Sequence, residues 1–187
     1  MTVRPFAQQE DWDAWLEDNH GSSPGLWLQI AKAGTGIPSV SYDQALETAL
    51  CFGWIDGQKK KHDDRYWLQR FTPRSKNSAW SRNNREKALA LIASGRMKEA
   101  GLREIEAAKR DGRWDAAYDS ASKAAVPADF QAALDGNARA RDFFAGLDSR
   151  NRYALLYRIQ TSKKAETRAR KIAEFVQMLE RHEKIHP

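Results

Sequence analysis

The sequence has few of the features that mark secreted or membrane proteins. Cys51 is its one cysteine, so no internal disulfide can form, which argues against a small secreted scaffold. No segment approaches the roughly 20 apolar residues that a membrane-spanning helix requires. The first residues, MTVRPFAQQEDWDAW, contain acids where a signal peptide needs an uninterrupted apolar run. We therefore expect a soluble, cytoplasmic protein without a membrane span.

Motifs of well-known enzyme classes are also missing. The chain has no CxxC, HExxH, Walker or GxSxG pattern, which argues against zinc, kinase-type and hydrolase chemistry. Its histidines are scattered along the chain, and the last two lie in a tail that is expected to fray: His20, His62, His182 and His186. We expect no cofactor and no metal, and a non-catalytic function is favoured.

Positive charge is concentrated in the later two-thirds of the chain. The net charge is +6, yet residues 1–55 hold only two bases, Arg4 and Lys32, against seven acids. The remainder therefore carries +11. Such asymmetry is typical of proteins with an anionic partner, either nucleic acid, a phosphorylated metabolite or an acidic protein. A solvated basic surface gives the same totals, so charge alone does not decide.

The first part of the chain predicts a mixture of helices and strands. Apolar spacing predicts a short helix around Trp12 and Leu16, and LWLQIAKAG has the composition of a strand. Ser41 and Gln44 form a capping-box pattern before a helix that Gly53 ends. WIDGQKKK and DRYWLQRFTPR predict two strands around a turn at 62–64. On the second strand, alternation places Tyr66, Leu68 and Arg70 on one face and Trp67, Gln69 and Phe71 on the other.

After Ser78 the strand signals disappear, and glycine and proline residues that end or begin helices recur along the chain. Helices are predicted over 82–94, 98–110, 127–135, 138–146, 149–160 and 164–181, and residues 119–129 are the best candidate linker. The predicted fold class is α+β, with a small mixed α/β N-terminal region followed by an all-α C-terminal region. We predict an α/β region with a ligand pocket at 1–80, a helical connector at 81–118 and a C-terminal helical region at 119–187.

Aromatic and basic residues are concentrated between Cys51 and Asn84. Aromatic planes beside guanidinium groups and hydroxyls suit a planar anionic ligand, such as a nucleotide, a phosphorylated metabolite or a peptide carboxylate. Tryptophans also bury more area than most side chains, so core residues with a basic rim are an equal alternative. The predicted ligand pocket is lined by Trp54, Asp56, Lys59, Arg70, Arg74, Ser78, Trp80 and Ser81.

Several of these residues have a simpler interpretation. Ser78 and Ser81 precede a predicted helix, where capping is the commoner role. Asp56, between two glycines, is either a turn residue or a catalytic base. Cys51 would be a nucleophile only with His62 beside it, and its apolar neighbours favour a buried thiol. No catalytic residue is assigned.

A second basic cluster lies in RNRYALLYRIQTSKKAETRARK. It predicts an alternative function, binding of nucleic acid, with phosphate contacts from the lysines and arginines. A solvated helix face with lysine stems over apolar surface is the simpler interpretation. The residues of this alternative site are Arg152, Lys163, Lys164, Arg168 and Arg170.

Several segments of the chain match the pattern of a known family. They include SYDQALETALCFGWIDGQKKK, FTPRSKNSAWSRNN and the tail FFAGLDSRNRYALLYRIQTSKKAETRARKIAEFVQML. Through these segments the chain resembles the YdeI/OmpD-associated family of bacteriocin-protection proteins. The family usually has alanine and proline where this chain has Ser162 and Ala165. The resemblance implies a bacterial cytoplasmic protein with a part in tolerance to antimicrobial peptides or envelope stress, and it brings no catalytic residues.

Three functions follow from these observations. The first is a non-catalytic protein that binds an anionic small molecule or an acidic protein partner in the predicted pocket. The second is nucleic-acid binding by the C-terminal basic helices. The third is an enzyme acting on a phosphorylated or nucleotide substrate with Asp56 as its base.

Overall fold

A single four-stranded sheet occupies the N-terminal part of the computed structural model, which describes the whole chain, Met1–Pro187. The strand order is β1-β2-β4-β3, with β1 parallel to β2 and the other pairs antiparallel. The short β1 was not predicted, whereas the other three strands were. The strands are β1 Val3–Pro5, β2 Leu26–Ala31, β3 Trp54–Lys61 and β4 Tyr66–Pro73.

Two helices cover one face of this sheet. They are α1, Gln9–Asn19, and α2, Tyr42–Cys51. The predicted capping box is present, since the Ser41 hydroxyl accepts from the Gln44 amide and the Gln44 side chain accepts from the Ser41 amide. Trp12 joins the helices and the sheet: its indole donates to the Ala45 carbonyl, and its ring contacts Phe71 at 5.7 Å.

The strand register defines an inner face, toward α1 and α2, and an outer face, away from them. Residues paired between neighbouring strands point to the same side. Leu26, Leu28 and Ile30 pair with Phe71, Gln69 and Trp67, and these form the inner face. Trp27, Gln29 and Ala31 pair with Arg70, Leu68 and Tyr66 on the outer face. The predicted alternation along β4 is therefore confirmed.

A bulge in β3 changes which of its side chains share a face. The pairing with β4 shifts between Asp56 and Lys59, and an extra residue reverses the facing of everything that follows it. Asp56 pairs with Phe71 and Lys59 with Gln69, so both lie on the inner face. Lys60 pairs with Leu68 and lies on the outer face.

Helices follow the sheet to the end of the chain. Their bounds are α3 Arg82–Ala93, α4 Glu99–Arg110, α5 Ala128–Asp135, α6 Ala138–Ala145, α7 Ser149–Gln160 and α8 Ala165–Glu180. All six lie where the sequence predicts them, within a residue or two at each end. With 48% helix and 14% strand, the α+β class is confirmed. No helix combines the length and apolar character needed to cross a membrane.

The chain divides into two compact units. The first is Met1–Ser78 together with Glu86–Ala108, and the second is Ala79–Arg85 together with Lys109–Pro187. The predicted connector, 81–118, is thus shared between them. In the first unit α4 packs on the end of α2, where Gly53, at φ +73°, lies against the Ala100 carbonyl. The second unit has its own apolar core around Phe130, Phe144 and Ile159.

Candidate functional site

The two tryptophans of the predicted pocket are core residues. In the first unit Trp54 is 1% exposed, its indole donates to the His20 carbonyl at 3.1 Å, and its ring stands edge-on to Trp12. In the second unit Trp80 is 2% exposed and stands edge-on to Trp114, with ring centroids 4.9 Å apart. Neither ring face is open to a ligand, so these indoles support the fold.

The two serines of the predicted pocket accept hydrogen bonds from backbone amides close to them in sequence. The Ser78 hydroxyl accepts from the Ser75 amide at 2.9 Å in the first unit. The Ser81 hydroxyl accepts from the Asn84 amide at 3.1 Å, at the start of α3 in the second unit. Ser81 therefore has the capping role that is common for serine before a helix, whereas the Ser78 hydroxyl closes a turn with Ser75.

Asp56 and Lys59 come together on the inner face, beside two aromatic residues that the sequence analysis did not select. The Tyr42 hydroxyl donates to the Asp56 carboxylate at 2.8 Å. The Lys59 ammonium lies 4.1 Å from the centroid of Trp67, and the Tyr42 and Trp67 rings are 6.2 Å apart. The carboxylate and the ammonium of this inner cluster therefore each have a partner within the chain.

Arg70 lies on the opposite face of the sheet from Asp56 and Lys59. It is half-buried, it pairs with Trp27 across the strands, and its Nε is buried without a hydrogen-bond partner. Arg74, at the end of β4, is 7% exposed, and its amide donates to the Gly53 carbonyl. One ligand cannot touch Arg70 and Lys59 from the same side, so the predicted set is divided by the sheet.

The outer face gathers cations and aromatic rings that the sequence analysis did not place together. The Lys60 ammonium lies 5.9 Å from the Trp27 ring, and the Arg65 guanidinium carbon lies 5.9 Å from the Tyr66 ring. Trp27 and Tyr66 are half-buried, whereas Lys60 and Arg65 are exposed. The period-2 alternation of β2 and β4 could have predicted that Trp27, Tyr66 and Arg70 share a face. The face of Lys60 could not be predicted in this way, because the bulge in β3 breaks the alternation.

The alternative nucleic-acid site has most of its cations engaged within the second unit. Arg168 holds Asp129 through two bonds of 2.6 and 2.8 Å and donates to the Ile159 carbonyl. Arg152 lies over the Phe144 ring at 4.4 Å, and Arg170 pairs with Glu174 at 3.6 Å. Lys163 lies 3.8 Å from Asp111, and Lys164 precedes α8 as an exposed residue. Intrachain contacts therefore account for four of these five residues.

The two hydrogen bonds from Arg168 lower the pKa of Asp129. The Arg168 hydrogen bonds hold the pKa of its carboxyl below the usual value, and the Phe130 amide adds to the effect. Beside this ion pair, a groove of 570 Å³ runs along α8, and its lining includes four alanines together with Ile172 and Val176.

Cys51 is an inert thiol in this fold. It is 3% exposed, and burial raises its pKa to about 11. A thiol with that pKa is protonated at neutral pH and is a poor nucleophile. His62 lies in the turn between β3 and β4, where it faces Asp63 at 3.8 Å. No group of three or more His, Cys, Asp or Glu side chains is placed to hold a metal ion.

The first unit is thus a small sheet with helices on one face and cations with aromatic rings on the other, and helices make up the rest of the α+β chain. Residues 4–104, slightly more than half of the chain, match the family described as a domain of unknown function, DUF8412, and the chain belongs to that family. Residues 123–182 match the family described as "Bacteriocin-protection, YdeI or OmpD-Associated".

The second match confirms the resemblance found in the sequence and confines it to the C-terminal helical region. The N-terminal segments, including GWIDG, fall within the first family instead. No curated protein and no solved structure matches the chain.

Proposed function

We propose that the chain is a non-catalytic binding protein whose first unit takes an anionic ligand with a planar group on the outer face of the sheet. The observation that carries the proposal is the composition of that face. Its strand residues include the cations Lys60 and Arg70 and the aromatics Trp27 and Tyr66, with no carboxylate. The one acid on the four strands, Asp56, lies on the inner face.

Arg70 supports the proposal through its unmet hydrogen bond. A buried N–H without an acceptor costs about 1 to 3 kcal/mol relative to a satisfied one. Its Nε is such a group, because it is cut off from water and has no partner in the chain. An anion that draws the guanidinium outward would remove this cost and gain charge-assisted hydrogen bonds.

The two lysines of the bulge differ in their availability. Lys59 lies close over Trp67, at 4.1 Å, whereas Lys60 is 5.9 Å from Trp27, near the limit of about 6 Å for a cation–π contact. Neither lysine has an ion-pair partner. Lys60 can therefore turn to a ligand at little cost, and the Trp27 ring beneath it then offers a surface for a planar group.

The test measures binding of adenosine monophosphate by calorimetry and by the rise in melting temperature that a ligand of the folded state must cause. Adenosine and ribose 5-phosphate each supply half of the chemistry, so both are expected to bind at least tenfold more weakly. Lys60→Gln is expected to reduce affinity about tenfold. Lys59→Gln, with the same loss of charge on the inner face, is the matched control and is expected to change little.

Two results would refute this function. One is no binding of any of the three compounds by the folded wild-type protein. The other is an equal loss of affinity in Lys59→Gln and Lys60→Gln, because net charge and not the outer face would then explain the attraction. Arg70→Gln adds a second variant on the same face, with circular dichroism to confirm that it folds.

The family description of residues 123–182 supports a biological setting for this binding. We propose a role in the cytoplasm of a bacterium, in tolerance to antimicrobial peptides or envelope stress. A strain without the gene should survive a cationic antimicrobial peptide less well, and the wild-type gene should restore survival. If the double variant Lys60→Gln with Arg70→Gln restores survival equally, the outer face has no part in that tolerance.

A further inference from the structure

We infer that the ligand of the outer face is single-stranded nucleic acid and not a mononucleotide. The inference rests on the proposed function and goes beyond it by naming the ligand class. Its basis is that the face carries two aromatic–cation pairs, Trp27 with Lys60 and Tyr66 with Arg65. A single base with its phosphate needs only one of them.

The spacing of the two pairs sets the length of the ligand. Tyr66 is the cross-strand partner of Ala31, which is four residues along β2 from Trp27. At about 3.3 Å per residue the two rings are roughly 13 Å apart along the strands. Stacked bases rise by about 3.4 Å per nucleotide, so about three to five nucleotides span the distance. One mononucleotide cannot reach both rings.

The residues between the two pairs place no charge along the path of a polyanion. Gln29 and Leu68 lie between them on the outer face and carry no charge. Arg70 lies beside Trp27, so three cations face the path, counting Lys60 and Arg65. No carboxylate lies on the strands of this face, and Asp63, in the adjoining turn, uses one carboxylate oxygen to accept from the Arg65 and Tyr66 amides.

The aromatic rings favour nucleic acid over an acidic peptide. An acidic peptide would use the cations alone, whereas bases stack on exposed aromatic side chains while phosphates meet the neighbouring lysines and arginines. Both cations lie about as far from their rings as such a contact allows, and both belong to exposed, flexible side chains. A base can displace either of them from its ring.

The test is fluorescence anisotropy with labelled oligothymidylates of one, two, four and eight nucleotides and the full chain. Affinity is expected to rise at least tenfold from one to four nucleotides, because the longer strand stacks a second base on the second ring. It should rise little from four to eight, because no further ring is available. With three phosphates neutralised, the logarithm of the binding constant should fall with that of salt with a slope of about −2. Arg65→Gln should reduce the gain in affinity between one and four nucleotides.

Three results would overturn the inference. Equal affinity for one and eight nucleotides would leave the proposed function standing with a small-molecule ligand. Equal affinity for an abasic strand of four residues, or for polyglutamate of the same charge, would mean that the rings take no part and that any polyanion suffices. Absence of binding to every compound, adenosine monophosphate included, would remove the proposed function as well.

Discussion

Lys59 and Lys60 are consecutive residues of β3 whose ammonium groups lie on opposite faces of one sheet. Lys59 is 4.1 Å from the centre of the Trp67 ring and Lys60 is 5.9 Å from that of Trp27. Because the attraction of a cation to a ring weakens with distance, the two lysines have different tasks. We expect the first to stabilise the pairing of β3 with β4, and the second is the lysine that we propose for the ligand.

Replacing each lysine by methionine should separate these tasks, because methionine keeps an apolar stem and removes the charge. Lys59→Met is expected to lower the free energy of unfolding by about 0.5 to 1 kcal/mol. Lys60→Met should lower it by less than half as much. Urea denaturation measures both, and a double-mutant cycle of Lys59→Met with Trp67→Leu isolates the pair. A coupling energy near zero would show that the 4.1 Å contact stabilises nothing.

Gly101 is expected to resist replacement although it lies inside a helix. Alanine normally stabilises a helix by about 1 kcal/mol relative to glycine. A Cβ at Gly101 would lie 2.5 Å from the Cys51 carbonyl oxygen and 2.7 Å from that of Leu50. These are backbone atoms at the end of α2, so α4 must move away. Gly101→Ala should therefore lose about 1 to 3 kcal/mol of stability.

Gly21→Ala is the matched control for this substitution. Gly21 belongs to the same unit, and a Cβ there meets no atom within 4 Å. Its urea midpoint should stay within experimental error of wild type. If the Gly101 variant is as stable as the Gly21 variant, α4 does not pack on α2 as closely as described.

Most of the fold follows from local signals that need no knowledge of the rest of the chain. The capping box of Ser41 and Gln44 and the apolar spacing around Ile172 each define a helix from a few neighbouring residues. Three-residue β1 is different: VRP has no periodicity of its own, and it is a strand only because it pairs with β2. A strand that forms only through pairing with a distant segment has no signal in its own residues.

The candidate site could be predicted only in part, for the same reason. Strict alternation along β3 would place Asp56 with Lys60, but the bulge places it with Lys59. A bulge depends on how the partner strand runs, which the sequence of β3 does not contain. Trp54 and Trp80 look alike in a basic, aromatic stretch, yet each is buried in a separate unit. The residue types indicated which groups could bind a ligand, but strand pairing and tertiary packing decided where those groups lie.

Cys51 should make the protein less stable at alkaline pH. Burial raises the pKa of its thiol from 9.0 to about 11. The buried thiol therefore makes its full contribution to the free energy of unfolding below pH 9, where it is neutral in both the folded and the unfolded state. Above pH 9 the unfolded chain loses the proton more readily than the folded one, so stability falls until about pH 11. A shift of this size corresponds to at most about 3 kcal/mol.

The comparison that isolates this effect is with Cys51→Ala. Lysines and tyrosines titrate in the same range in both proteins, so only the difference between their unfolding free energies is attributed to the thiol. That difference should shrink or reverse between pH 8 and pH 11 as wild type loses stability. A constant difference, or rapid labelling of the native thiol by Ellman's reagent at pH 8, would contradict a buried Cys51.

Asp129 and Arg168 should make the second unit sensitive to acid. Arg168 donates to both carboxylate oxygens, at 2.6 and 2.8 Å, which lowers the pKa of Asp129. A carboxyl with a lowered folded pKa contributes stability above its unfolded pKa of about 3.9 and loses it as pH falls through the folded value. Because the pair is partly exposed, we expect about 0.5 to 1 kcal/mol. Urea midpoints from pH 7 to pH 2 measure it.

Asp129→Asn keeps the size of the side chain and removes its charge, so this variant should lose stability at pH 7 and resemble wild type at pH 2. Asp142→Asn removes a carboxylate of the same unit whose side chain is 73% exposed beside Arg141, and it is the matched control. Each variant lacks one negative charge, so general charge effects cancel between them. If both variants follow the same pH profile, the forked contact between α5 and α8 adds no stability to the helical region.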